Sequence, residues 1–262
     1  MPETKGAMLG EQASHAPKDP LGLWVWRKLF TYSRRFGLKE TIGLLPKNVS
    51  HLLRRYVNWR FDRKYRVDTS GVIQLAGLTC DGANKVLGVW HEPTPIRTLK
   101  WMFSSLPRDV SGWTFVDFGS GKGRTILYAS NYGFQRIIGV EFARELDAIA
   151  KQNITTYRSK RQKCFDISSI CMDAVRFPIP DGNCLFYFFR PFQEEVMERV
   201  ISNIHQAYFR SPRKLMVFYY HPEPHSAIEK QKFLRKREER PMPFDFSGEP
   251  CPYRRRMAIY ET

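Results

Sequence analysis

The chain is poor in acids for its bases: 26 Asp and Glu stand against 42 Lys and Arg in 262 residues, a formal charge of +16. Its five cysteines (80, 164, 171, 184 and 251) form no CxxC pair. That spacing argues against a zinc ribbon and a disulfide scaffold, so no metal is expected and a reducing, cytoplasmic setting is. Long apolar runs are missing as well. The longest near the N-terminus, around Leu21–Trp26, is far too short to span a bilayer. Met1-Pro-Glu-Thr has neither the basic start nor the apolar stretch of an export signal. No internal repeat is present, which argues against a solenoid.

What the chain does have is a glycine turn. Residues 115–123 read Phe-Val-Asp-Phe-Gly-Ser-Gly-Lys-Gly. Thr114–Phe118 suits a buried strand, and Arg124–Tyr132 suits a helix. Glycines at alternate positions between strand and helix let a ligand approach bare backbone. A phosphate-cradling P-loop is excluded, because Val116 stands where its first glycine should be and Gly123 where its hydroxyl should be. The dinucleotide fingerprint wants Gly or Ala where Arg124 stands. Gly-x-Gly-x-Gly with an acid, Asp117, two residues upstream fits S-adenosylmethionine (SAM) better, although the triplet alone decides nothing.

Two more strand ends carry acids. Arg136–Glu141 is a short apolar strand whose terminal glutamate could accept both hydroxyls of a ribose. It could equally cap the next helix, and it does not separate SAM from NAD. Ile167–Cys171 is followed by Met172-Asp173-Ala174. Asp173 suits an adenine amino group, or an ordinary turn at a strand exit. Cys184–Phe189 reads as a strand buried on both faces, Lys214–Tyr220 as a fifth strand, and Met257–Tyr260 as a late antiparallel one. Amphipathic helices intervene: one near 143–157 with Leu146, Ile149, Ala150 and Ile154 inward, another burying Val196, Met197, Val200, Ile201 and Ile204. The fold class expected is α/β, with a doubly wound, mostly parallel, seven-stranded Rossmann-like sheet and an N-terminal helical extension.

From about Trp90 to Tyr260 the chain resembles the class I SAM-dependent methyltransferases, on VDFGSGKG (116–123), GVE (139–141), CMDA (171–174) and FYFFRPF (186–192). It is most similar to a bacterial group of that class with Glu-Pro-Thr-Pro ahead of the glycine turn, here Glu92 to Pro95. The resemblance implies S-adenosyl-L-methionine as cofactor, held by Glu92, Thr94, Asp117, Gly119, Ser120, Gly121, Gly123, Glu141, Phe142, Asp173 and Ala174. Glu92 and Thr94 would sit near the methionine moiety, with Glu92 paired to its ammonium. By residue type, Thr94 and Pro95 also read as the N-cap and first residue of a helix over Ile96–Phe103.

The acceptor side is less explicit. The segment after the fourth strand faces the transferring methyl in this class, and amino-directed members carry Asn or Asp followed by Pro-Pro-aromatic. Here it is Phe189-Arg190-Pro191-Phe192, with Arg190 where the bacterial group commonly has Asn. Arginine neither accepts hydrogen bonds nor acts as a base, which weakens amine methylation and favours an anionic acceptor. An outward-turned Arg190 is the simpler alternative. Tyr219, Tyr220, His221 and Glu223 share the same rim, and His221 is the general base suggested by residue type. A histidine before proline at a strand exit can also be purely structural.

The expected organisation is a disordered stretch over 1–19, a basic helical extension over 20–89 and the SAM-dependent methyltransferase domain over 90–262. Residues 1–70 hold 14 Lys and Arg against six Asp and Glu, so +8 of the chain's +16 arises there. Interleaved aromatics (Trp24, Trp26, Phe30, Trp59 and Phe61) could bind nucleic acid or an anionic membrane surface. A helical cover packed on the domain is the favoured alternative. Lys230–Arg240 reads as a basic run spread over the surface. The leading expectation is methyl transfer to a small molecule. Transfer to a protein or RNA, through a groove with Arg34, Arg35, Arg54 and Arg55, and a non-catalytic SAM- or NAD-binding module are the alternatives.

Overall fold

Central strands of a parallel sheet are covered on both faces, so they are spelled in near-continuous apolar runs, and three such runs anchor this fold. They are β1 (Trp113–Phe118), β4 (Asn183–Phe189) and β5 (Leu215–Tyr220); every residue of β1 and β5 is buried. Added to these are β2 (Arg136–Glu141), β3 (Ile167–Cys171), β6 (Arg235–Pro241) and β7 (Arg256–Glu261). The computed structural model describes residues 30–31, 33–34, 55–73, 78–80, 91–222, 227–242 and 256–262. The expectations for 1–19 and for most of 20–54, together with those for Cys251 and Glu223, lie outside these residues.

The sheet order is β3-β2-β1-β4-β5-β7-β6. Strands β1 to β5 pair in parallel, and β7 runs antiparallel to both β5 and β6. The chain winds outward from β1 to β3, then returns to place β4 on the other side of β1. Crossovers therefore leave β1 in opposite directions, and the backbone opens a crevice at the carboxyl ends of β1 and β4.

Alternate residues of each strand feed two cores. On one face Val116, Phe118, Phe186 and Phe188 pack against the apolar stripe Val196, Met197, Val200, Ile201 and Ile204 of the long helix Glu194–Arg210. Each fully buried side chain of that stripe contributes about 1.5–3 kcal/mol. On the other face Phe115, Leu185, Tyr187 and Phe218 meet α1 (Ile96–Ser104) and α2 (Arg124–Ala129). With α3 at Arg144–Thr156, the helix Glu194–Arg210 becomes α4.

Four local expectations are corrected. Helix α2 stops at Ala129 rather than Tyr132, where the Ser130 carbonyl is taken by the Lys163 and Cys164 amides. Pro95, not Thr94, is the N-cap of α1, because the Thr94 hydroxyl is turned inward to Tyr187. The buried face of α3 is Leu146, Asp147, Ala150 and Asn153, with Ile149 and Ile154 only half-buried. Its two polar members find partners inside: Ser169 donates to Asp147 at 2.7 Å, and Asn153 bonds the Lys122 and Asp68 carbonyls. Finally, Arg235–Pro241 is not merely a charged surface run but the edge strand β6. Charge along an edge discourages pairing with another sheet.

Part of the N-terminal quarter is integral to the domain. Residues 55–65 are helical, Phe61 and Val67 are buried, and Tyr65 packs in a tilted arrangement against Tyr157 with centroids 4.9 Å apart. This favours the covering role for that stretch over an open aromatic surface.

Candidate active site

The turn between β1 and α2 needs glycine for a geometric reason. Gly119, Gly121 and Gly123 have φ of 79°, 55° and 85°, the left-handed region that costs an L-residue about 1–2 kcal/mol. The turn is strapped to β2 by the Gly119 and Ser120 amides, which donate to the Val140 carbonyl at 2.8 and 3.1 Å. The bare backbone is approached by the protein itself as well as offered to a ligand. A Cβ on Gly119 would lie 2.6 Å from Pro191 Cβ, and one on Gly121 would overlap the His91 imidazole. Gly123 instead packs inward against Ala150 and Ile126.

Two carboxylates meet beneath this turn. Glu141, at the tip of β2, accepts from the Gly121 amide at 2.8 Å through Oε2 and from the Ala143 amide at 2.9 Å through Oε1. It therefore ties the turn to the start of α3, and each oxygen keeps a further lone pair for another donor. Burial pushes its carboxyl up to about 7, against the pull of backbone amides. Asp117, near the end of β1, is raised to about 8, first by burial and then by the charge of Glu141, while the Thr125 hydroxyl opposes the shift. Near neutral pH this pair shares less than two full negative charges, because like charges in low dielectric resist joint ionisation.

Around them Thr94 Oγ1 and Tyr187 Oη hydrogen-bond at 2.8 Å, with the Thr125 hydroxyl 3.4 Å from Thr94. The resulting cleft lies at the β1/β4 switch point. Its walls are the 91–94 segment, the glycine turn, Glu141–Phe142 and the 189–192 segment.

The two bases of the turn do not enter the dinucleotide role. Lys122 Nζ pairs with Asp68 at 2.8 and 3.0 Å and donates to the Ser70 carbonyl at 3.0 Å. Arg124 is buried and reaches Thr69 at 2.8 Å, Asn58 at 2.7 Å and Ser70 at 3.0 Å, with Asp62 at 3.8 Å and the Phe61 ring below. Asp62 itself accepts from the Thr69 and Ser70 amides. Residues 58–70 are thus clamped onto the outside of the glycine turn.

Of the residues expected to hold the cofactor, Glu92, Thr94, Asp117, Gly119, Ser120, Glu141 and Phe142 line the cleft. Gly121 lies under His91. Asp173 and Ala174 do not line it; Asp173 caps the short 3-10 turn Ala174–Arg176 by accepting from the Val175 amide at 2.9 Å. Asp117 and Glu141 share this cleft, whereas Asp173 is not part of its lining. Arg190 lines the cleft with φ of 38°, while His221 lies outside the lining with φ of 59° and its amide donating to the Arg256 carbonyl at 2.8 Å. Both expected acceptor-side residues are held in a backbone region that non-glycine residues seldom occupy, a feature that concentrates at functional sites. Sequence reasoning missed His91, Thr125 and Tyr187. His91 had one available signal, its place directly before Glu-Pro-Thr-Pro.

The residues present suit an adenosyl amino acid. Beside the paired carboxylates stand two buried polar atoms without a hydrogen-bond partner among the described residues, His91 Nε2 and Ser120 Oγ. Residues 116–208 match a family described as a methyltransferase domain. No curated protein matches the chain. Among solved structures, a methylase candidate from Haemophilus influenzae is 15% identical, over 63% of this chain and 88% of that one, at TM-score 0.45. A SAM-dependent methyltransferase from Aquifex aeolicus is 12% identical, over 62% and 88%, at 0.44. An RNA methyltransferase from Salinibacter ruber, in complex with S-adenosyl-L-homocysteine, is 15% identical, over 64% and 91%, at 0.40. Likenesses this remote say nothing of the acceptor. Among the described residues no helix is long and apolar enough to cross a membrane, and no His, Cys, Asp and Glu cluster could hold a metal ion.

Proposed function

We propose that this chain is an S-adenosylmethionine-dependent methyltransferase that acts on a small molecule, and that the acceptor carries an anionic group. The observation that supports this reading is the double roof of the cleft. Pro191 sits on Gly119 and His91 on Gly121, so the 189–192 and 91–94 segments close over the turn from two sides. A roofed cleft suits a compact acceptor better than a polymer. Arg190 supplies a permanent cation in the lining, and arginine matches a carboxylate or phosphate in a bidentate way.

The cofactor brings an already activated methyl group, so the protein's work is orientation and the exclusion of water. Glu141 would take the ribose hydroxyls on its spare lone pairs while its backbone bonds fix its direction. Asp117 and Glu92 would face the ammonium of the amino-acid end, and Thr94, held by Tyr187, would set the depth of that end. Asp173 and Ala174 would border the adenine at the edge of the crevice, with Asp173 capping the turn that follows β3. Phe189, packed in a tilted arrangement against Tyr220 with centroids 4.5 Å apart, would form an aromatic wall for the acceptor. His221, on the rim at the end of β5, is the base assigned here if the accepting atom carries a proton at working pH.

Two measurements test this. Calorimetry should detect binding of SAM and S-adenosylhomocysteine and none of NAD; affinity for NAD alone would refute it. Incubation with methyl-labelled SAM and a fractionated cell extract should put the label in the small-molecule fraction, as read by mass spectrometry. Label confined to RNA or protein would instead establish the macromolecular alternative.

A further inference from the structure

His91 is fixed where a bound molecule would meet it. Its backbone forms a bridge with Ile73, donating at 2.9 Å and accepting at 3.0 Å, and prolines 93 and 95 follow directly. The side chain therefore has little freedom to swing. The ring rests against Gly121, and although the residue as a whole is half-buried, Nε2 is sealed from solvent with no partner among the described residues. A buried imidazole nitrogen left unpaired costs about 1–3 kcal/mol, a cost that a bound group in the cleft would relieve.

The charges nearby narrow the choice of ligand group. Burial pushes the imidazole down to about 3, and Lys122 and Arg124 add to that effect, so the ring is neutral. A neutral imidazole offers one N–H, which a carboxylate can accept. The carboxylates Asp117, Glu141 and Glu92 line the same cleft and draw the ammonium toward themselves.

We propose that His91 donates from Nε2 to the carboxylate of the cofactor's amino-acid end, making it the residue that separates adenosyl amino acids from plain adenosyl thioethers. This rests on the methyltransferase reading of the cleft. No bond is made or broken; the ring carries its single proton on Nε2 and keeps it.

The test is binding, measured by calorimetry with two ligands. S-Adenosylhomocysteine has the amino-acid end, and 5′-methylthioadenosine lacks it. His91→Phe keeps the ring on Gly121 and removes the donor, so it should bind S-adenosylhomocysteine about 10- to 100-fold more weakly. It should bind methylthioadenosine as well as wild type does, which also shows that the variant is folded. His91→Gln, whose amide nitrogen can replace Nε2, should recover most of the lost affinity. Equal loss for both ligands would assign His91 a purely structural part and overturn the proposal, as would no loss for either. If wild type bound neither ligand, the reading of the cleft itself would fall, a failure visible without any variant.

Discussion

The glycine turn can be tested without any ligand by placing one methyl group at Gly121. Two costs arise. Alanine at φ of 55° pays about 1–2 kcal/mol for its left-handed conformation. The new Cβ also occupies the space of the His91 imidazole, and displacing a packed ring held by a rigid backbone costs about 1–3 kcal/mol. Gly121→Ala should therefore destabilise by about 2–5 kcal/mol, which for a domain of this size lowers Tm by roughly 4–20 °C. Thermal and urea unfolding followed by circular dichroism would measure it. Pairing the change with His91→Ala removes the overlap and leaves the dihedral strain. The double variant should be more stable than the sum of the singles by about 1–3 kcal/mol. Gly112→Ala is the control, since a Cβ there meets nothing within 4 Å and φ is ordinary; it should shift stability by no more than about 0.5 kcal/mol. Additive singles would mean that His91 is not seated on Gly121, and the roofed cleft would go with it.

Glu141→Ala should abolish SAM binding and also destabilise the unliganded protein, because the Gly121 and Ala143 amides lose their acceptor at about 1–3 kcal/mol each; an unchanged Tm would contradict the double role of this carboxylate. Arg124→Met should cost about 3–5 kcal/mol, by stranding partners of a buried guanidinium, and should open residues 58–70 to limited proteolysis; a protected segment would show that the clamp is not what holds it. Asp117 has a folded pKa raised from 3.8 to about 8, so it supports the fold when protonated and this support is lost as pH rises toward 8. Asp117→Asn should therefore gain stability relative to wild type between pH 5 and 8, by up to about 1.4 kcal/mol per pH unit, and a difference constant across that range would refute the burial of this acid.

What could be read from the chain follows from where each residue's partners lie. Strands β2 and β3 match their expected bounds, and β1, β4 and β5 differ by one residue at one end, because burial on both faces spells each central strand as an apolar run. Strand β6 has no such spelling: six of its seven residues are charged, and it exists by pairing with β7 and through ion pairs to Glu229, Glu239 and Glu261. In the site, the acids at the ends of β1 and β2 were legible because crossover topology gathers strand ends. Asp173 was legible for the same reason and yet stands aside, because a carboxylate two residues from a free amide can satisfy itself locally.

Arg124 shows why the rest was hidden. By spacing it is the misfit of the glycine turn, the bulk that rules out a dinucleotide, and nothing near it in sequence explains it. Its partners lie 54 to 66 residues earlier, on Asn58, Thr69 and Ser70, in a stretch that reads as a basic covering helix. A guanidinium with five donors is long enough to cross that gap and planar enough to lie over Phe61 while doing so. Lys122 makes the same crossing to Asp68. Their two charges add to the burial that keeps His91 neutral. The residues that close the outer wall of the turn therefore also set the electrostatics inside it, and cutting the wall should alter what the cleft binds as well as how firmly the protein folds.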